Sequence, residues 1–416
     1  MAIQQFKTAH LQVIRIVCRL LATAVLVTGC EKHDIPDPEP AGPSHTLLLY
    51  MPGQSLLSYY KSNIQHVGQG LSADVPGNGH ILVCYQPDNQ TSAQLLELRY
   101  DDKQQTCVRE TLRVYDDFRA ENPESLRQLF RDAQQLAPAD NYGLIIGCHG
   151  TAWLPAGTVL SAPNPDASLP VLLTRTTPDA DYVTRSFGDP GHQLAVSELA
   201  EVAESLPYRF DYLIFDGCFM ASIETLYDLR HTFDYVVASP CEILVAGFPY
   251  QQIIPHIFGA EDHNLTAVCH DFWSFYMYDW NTLPGNAPSA CISLAVMDEL
   301  EVLADRAADI YAGPQRAYQR DELQHYESLT SHVFYDFGDY IRAIAADDAL
   351  LARFEAQLDR AFPVEARLHT PEFYSVFNRR WIPVNSYSGV STGEPSLRYV
   401  ANEEETAWFR RTHARQ

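Results

Sequence analysis

Two apolar runs in this chain end in reactive side chains. "LIIGCHG" closes on His149-Gly150, and "LIFDGC" closes on Asp216-Gly217-Cys218. A thiol with an imidazole is a pair suited to nucleophilic attack on a carbonyl. The histidine takes the thiol proton and returns it to the departing amine. Backbone N–H groups at Gly150 and Cys218 are candidates to hold the oxyanion that forms. Asp216 adds a carboxylate able to pair with a cationic side chain. Each residue also has a plainer reading: a hydrogen-bonded strand-end histidine, a cysteine packed in the core, an aspartate capping the helix that follows. Their matched placement favours chemistry, because ligands of open α/β sheets bind beyond the carboxyl ends of the strands. Cys218 also reads as the start of a helix, "FMASIETLYDL", whose dipole would favour the thiolate.

The elements that must position these groups alternate along the chain. "HTLLLYM" (45–51), "HILVCY" (80–85), "YGLIIG" (142–147), "DYLIFD" (211–216), "DYVVAS" (234–239) and "ACISLAV" (290–296) are short, rich in Val, Ile and Leu, and bounded by polar or Gly/Pro residues. Such runs predict buried strands. Between them lie helical patterns: "NPESLRQLFRDAQQL", with Asn122 as cap and Pro123 in the first turn, "AVSELAEVAESL" (195–206), and "MASIETLYDLRHTF" (220–233). The alternation predicts an α/β sandwich with a mainly parallel sheet. Residues 95–100 and 107–115 alternate apolar with polar and suit an edge hairpin. The aperiodic segment from Gly150 to Pro190 is long for a loop within a domain, as functional or flexible loops often are. Beyond Ala312, amphipathic segments such as "DYIRAIAADDALLARFEAQLDRAF" predict a helical and loop-rich region packed on the core. Cys148 and "SHVFYDFGDYI" read as core. "GVSTG" (389–393) matches a serine nucleophile elbow only in form, since Glu394-Pro395 replaces the helix that motif needs.

Composition narrows the function. The chain has 416 residues, 46% hydrophobic and 20% charged, with a formal charge of -24. That describes a globular protein and argues against nucleic acid as a partner, since phosphates require clustered Lys and Arg. Cysteines outside the N-terminal region are Cys84, Cys107, Cys148, Cys218, Cys241, Cys269 and Cys291. None forms a CxxC pair and there is no HExxH, so no metal site is assigned.

"YGLIIGCHGTAW" and "FDYLIFDGCFMASIETLYDLR" resemble the two signature segments of the clostripain family of cysteine peptidases. "VVASPCEILVAGFPY" (236–250) and "TLLLYMPGQSLL" extend the likeness over roughly His45 to Tyr250. The resemblance implies a caspase-like three-layer sandwich with His149 as general base and Cys218 as nucleophile. It implies that Asp216 selects Arg or Lys on the amino side of the cleaved bond, so the partners would be peptides or proteins cut there. Pro240 and Cys241 depart from the polar or acidic residues usual after the Ser of "ASPCE". The family is commonly activated by self-cleavage, for which Arg175 and Arg185 are plausible sites. It is often stimulated by calcium, although no calcium ligand is assigned.

The N-terminus points to export. Lys7, Arg15 and Arg19 precede the short apolar stretch Leu20 to Val27, and "VTGC" then resembles a bacterial lipobox with Cys30 as the lipidated residue. The expected organisation is a lipoprotein signal at 1–29, an acidic Pro-rich tether at 30–44, a peptidase core at 45–312 and a C-terminal region at 313–416. A membrane anchor through the lipid, in the outer membrane of a Gram-negative cell, follows from this reading. A non-catalytic surface lipoprotein that binds peptide or host protein on the same fold is the alternative.

Overall fold

In the computed structural model of the protein, the residues described are 44–53, 55–87, 92–154, 187–189, 192–259, 263–280 and 287–414. Cys30, Arg175 and Arg185 lie outside them. Among the described residues no helix is long and apolar enough to cross a membrane.

The predicted strands form, as β1 (His45–Met51), β2 (His80–Tyr85), β3 (Ala93–Asp101), β4 (Thr106–Tyr115), β5 (Asn141–Gly147), β8 (Tyr212–Asp216), β9 (Tyr235–Ala238) and β10 (Cys291–Val296). The sequence did not predict β6 (Phe187–Asp189), at the end of the segment read as an aperiodic loop, or β7 (His192–Leu194), which pairs with it as a separate two-stranded sheet. Leu368–His369, from the C-terminal third, pairs antiparallel with β10 at one edge. Outward from that edge, the nine-stranded sheet runs β10, β9, β8, β5, β1, β2, β3, β4. The five strands from β9 to β2 are parallel, while β3, β4 and β10 run antiparallel to their neighbours. The edge hairpin expected from alternation is β3–β4.

Alternation of side chains divides the core into two layers. Leu48 and Tyr50 of β1, Leu144 and Ile146 of β5, and Leu213 and Phe215 of β8 face one cluster. Leu47, Leu49, Ile145, Tyr212 and Ile214 face the other. A central strand with both faces covered must be apolar at every position, which is why these runs are continuous and not alternating. Helices Pro123–Leu136, Val196–Glu204, Ile223–Leu229 and Leu300–Tyr311 cover the first face, and Leu57–Gln69, Tyr250–Ile257 and Leu265–Ser274 the second. This is the three-layer sandwich with a mainly parallel sheet. Asn122 caps its helix by accepting from Glu124 N at 2.9 Å, with Pro123 in the first turn as expected.

Two local expectations change. "DYIRAIAADDALLARFEAQLDRAF" forms two helices, Phe337–Ile344 and Asp348–Ala361, because Asp347 caps the second. The segment after Cys218 is a turn and not a helix start: the helix begins at Ile223, with Ser222 accepting from Thr225 N. Tertiary contacts hold that turn open. Phe219 N donates to Cys241 O at 3.0 Å and Ala221 N to Ser239 O at 3.0 Å. The Phe219 ring stacks on Phe334 at 4.7 Å. Phe219 takes a left-handed φ of 63°, unusual for a residue with a bulky side chain. Phe334 belongs to "SHVFYDFGDYI", which is core as predicted, so the C-terminal third supports the floor beneath Cys218.

Candidate active site

Strands β5 and β8 are parallel neighbours, with Gly147 paired to Asp216. His149 and Cys218 each lie two residues past that register pair, so both chains leave the sheet side by side. Cys148 N donates to Asp216 O at 3.1 Å, extending the pairing one step beyond the strands. Gly150 fits because it lacks a side chain: a Cβ there would lie 2.7 Å from Cys218 O and 2.7 Å from Met220 Sδ. The two strand-end loops are in van der Waals contact at this point.

His149, Cys218 and Asp216 line one cleft of ≈ 480 Å³ counting its mouth. Its apolar wall includes Leu56, Tyr59, Ile243 and Val245. Cys148 also reaches this cleft, although it is buried. Among the described residues, the Cys218 thiol donates to Ile243 O at 3.8 Å, and the His149 ring meets Ser55 Oγ through Nε2 at 3.2 Å. No hydrogen bond joins thiol to ring in this resting arrangement. Catalytic hydrogen bonds are commonly loose before substrate binds.

Burial pushes the Cys218 thiol up to about 12, with the Glu242 carboxyl adding to it. Glu242 is itself pushed up to about 8 by burial, so at neutral pH it carries little charge and burial dominates. The expected thiolate stabilised by a helix N-terminus is therefore not found, for two reasons: the helix starts at Ile223, and the thiol is desolvated. Burial also lowers His149, against the opposing charge of Asp189, so the ring is a free base at neutral pH.

Asp216 is 8% exposed. Its Oδ2 accepts from Tyr250 OH at 2.8 Å and Phe248 N at 3.4 Å, while Oδ1 has no partner among the described residues. Burial raises the carboxyl to about 6, with those two donors opposing. Asp216 does not cap a helix, since Ser222 performs that task. Ser391 of "GVSTG" is buried and donates to Ala221 O, a structural role. Among the described residues no three His, Cys, Asp or Glu side chains are grouped to hold a metal ion.

Sequence reasoning missed Ser55, in the loop after β1, which meets His149, and Asp189 of β6, which holds Ser55. Neither sits in a motif, and 134 positions separate them. It also missed Glu242, whose Oε1 accepts from Ser375 Oγ at 2.7 Å and Val376 N at 3.1 Å.

Comparison with known proteins agrees with this fold. The clostripain family model (peptidase C11) matches residues 176–342. A secreted C11 cysteine protease from Bacteroides thetaiotaomicron, called iotapain, aligns at 27% identity over 90% of this chain and 100% of that one, with a TM-score of 0.75. An inactive zymogen C11 protease from Parabacteroides distasonis aligns at 25% identity over 89% and 98%, with a TM-score of 0.70. A secreted B. thetaiotaomicron C11 protease bound to an irreversible peptide inhibitor, at 21% identity over 88% and 98% with a TM-score of 0.73, shares the fold. No curated protein sequence matches significantly. With its caspase-like sandwich, its strand-end cysteine and these likenesses, the chain belongs to the clostripain family of cysteine peptidases.

Proposed function

We propose that the protein is an endopeptidase that cleaves after Arg or Lys, with Cys218 as nucleophile and His149 as general base. The observation that carries this reading is the β5–β8 register, which brings thiol and imidazole to one cleft. Attack by Sγ on the scissile carbonyl transfers the thiol proton to His149, which then protonates the leaving amine. The Gly150 and Cys218 backbone N–H groups are the proposed donors to the oxyanion. Asp216 Oδ1, at the cleft wall, is the proposed partner of the substrate cation. An irreversible thiol-directed peptide inhibitor ending in Arg or Lys tests this. Mass spectrometry should find it on Cys218, and an uncharged analogue should label far more slowly. Labelling elsewhere, or equal labelling by both, would count against the reading.

Self-cleavage at Arg175 or Arg185 and lipidation at Cys30 belong to the same proposal. The first draws support from the likeness to a protease described as a zymogen, the second from "VTGC" and the acidic tether after it. Replacing Cys30 with Ala should move the protein from the membrane fraction to the soluble fraction without altering its melting temperature. Continued partition into detergent would rule out the lipid anchor.

A further inference from the structure

His149 is gripped from outside the cleft. Its Nε2 lies 3.2 Å from Ser55 Oγ, and that hydroxyl donates to Asp189 Oδ1 at 2.5 Å. Ser55 N donates to the other carboxylate oxygen, Oδ2, at 3.0 Å. The carboxylate therefore holds Ser55 by both of its donors. Gly53, two residues earlier, makes the approach possible. It has a φ of 93°, and a Cβ there would lie 2.4 Å from the Asp189 carboxyl carbon. Strand β6 is tied to the histidine as well, since Gly188 N donates to His149 O at 3.3 Å.

We propose that Ser55 and Asp189 are positioning residues that fix His149 as its Nε2–H tautomer and leave the Nδ1 lone pair to take the thiol proton. This rests on the reading of His149 as general base. The assignment follows from counting protons. A serine hydroxyl has one, and the carboxylate, which only accepts, takes it. The Ser55 oxygen facing Nε2 can then only accept, so Nε2 carries the hydrogen. Nδ1 has no hydrogen-bond partner among the described residues.

In acylation the Cys218 S–H bond breaks as the S–C bond forms, and the proton goes to Nδ1. The imidazolium then gives that same proton to the leaving nitrogen as the C–N bond breaks. The Nε2 proton stays on the ring throughout, and no proton passes to Asp189. Its charge steadies the imidazolium through one intervening hydroxyl.

Asp189→Asn makes the idea testable, because the amide cannot accept twice through separate atoms. Its oxygen must take the fixed Ser55 N–H donor. Its NH2 then faces Ser55 Oγ and turns the hydroxyl proton toward Nε2, which selects the wrong tautomer. For Arg and Lys peptides, kcat should fall on the order of 10²- to 10⁴-fold with little change in KM, the scale of a tautomer error in a catalytic triad. Ser55→Ala should also lower kcat, and Ser55→Thr, which keeps the hydroxyl, should restore most of it.

A second readout needs no peptide cleavage. The rate of Cys218 carbamidomethylation by iodoacetamide, followed by peptide mapping against pH, should contain a step that His149→Ala abolishes. In Asp189→Asn that step should vanish or move to lower pH, and in Ser55→Thr it should persist. If Asp189→Asn keeps both its kcat and its step, the relay is overturned while the peptidase reading stands. If the parent protein lacks the step, His149 is not the base and the proposed function itself fails. Should Asp189→Asn not fold, the contrast between Ser55→Ala and Ser55→Thr decides: equal activities overturn the proposal.

Discussion

Cys218→Ala and His149→Ala should each lower kcat/KM on Arg or Lys peptides by at least about 10³-fold, and the double variant should lose little more. Residues that act as one catalytic unit are strongly non-additive, because removing either already stops the shared step. Two independent contributions would instead multiply, and that result would sink the pairing of thiol with imidazole. Cys218→Ala should also remain a single chain if cleavage at Arg175 or Arg185 is self-inflicted. Cys148→Ala and Cys241→Ala should keep their activity, with any loss traceable to stability, because both thiols are buried in packing.

The pH dependence follows from the same site. With the thiol pushed up to about 12, a standing thiolate is scarce at neutral pH, so the proton must leave during attack. Activity should therefore rise with pH through the titration of His149, which burial places below the ordinary imidazole value. Iodoacetamide labelling of Cys218 at pH 6 should be slow, the reverse of what a helix-stabilised thiolate would give.

Asp216→Asn should separate activity from stability. A charge-assisted hydrogen bond to the substrate cation is worth roughly 1.5–3 kcal/mol, so kcat/KM for Arg or Lys peptides should fall about 10- to 100-fold. Peptides with an uncharged residue at that position should lose much less. Equal losses would mean that Asp216 serves only to hold Tyr250 and the turn before it.

Stability should move the other way. Burial raises the Asp216 carboxyl from an ordinary 3.8 to about 6, so the folded protein binds the proton more tightly than the unfolded chain. Its contribution is most favourable below the unfolded value and is lost as pH rises from about 4 to 6. At neutral pH the ionised group costs the fold about 3 kcal/mol, at roughly 1.4 kcal/mol per pKa unit. Asn removes part of that cost, and the melting temperature at pH 7 should rise. A lower melting temperature would show that the bonds from Tyr250 and Phe248 outweigh the desolvation. Preference for Arg or Lys over uncharged residues should also weaken below about pH 6, where Asp216 takes up its proton.

Much of this protein was legible in its sequence. Continuous apolar runs gave the central strands, because a strand covered on both faces has no position for a polar side chain. Asn122-Pro123 marked a helix start through short-range capping, which depends on a few adjacent residues. His149-Gly150 and Asp216-Gly217-Cys218 stood out because reactive residues directly after such runs fall at a sheet's ligand-binding edge.

Other features depended on residues far apart in the chain. That β5 lies beside β8, with Gly147 opposite Asp216, is a matter of strand order, and no local pattern encodes it. The turn at Cys218–Phe219 overrode a helical sequence pattern because Phe334 and Cys241, more than 20 residues away in the chain, bind it more strongly than the local preference does. The thiol's ionisation was misjudged for the same reason, since desolvation depends on what surrounds a group in space. Ser55 and Asp189 carry no signal of their own. A serine after one strand and an aspartate at the end of another are linked to His149, the second through the first, only in the folded chain.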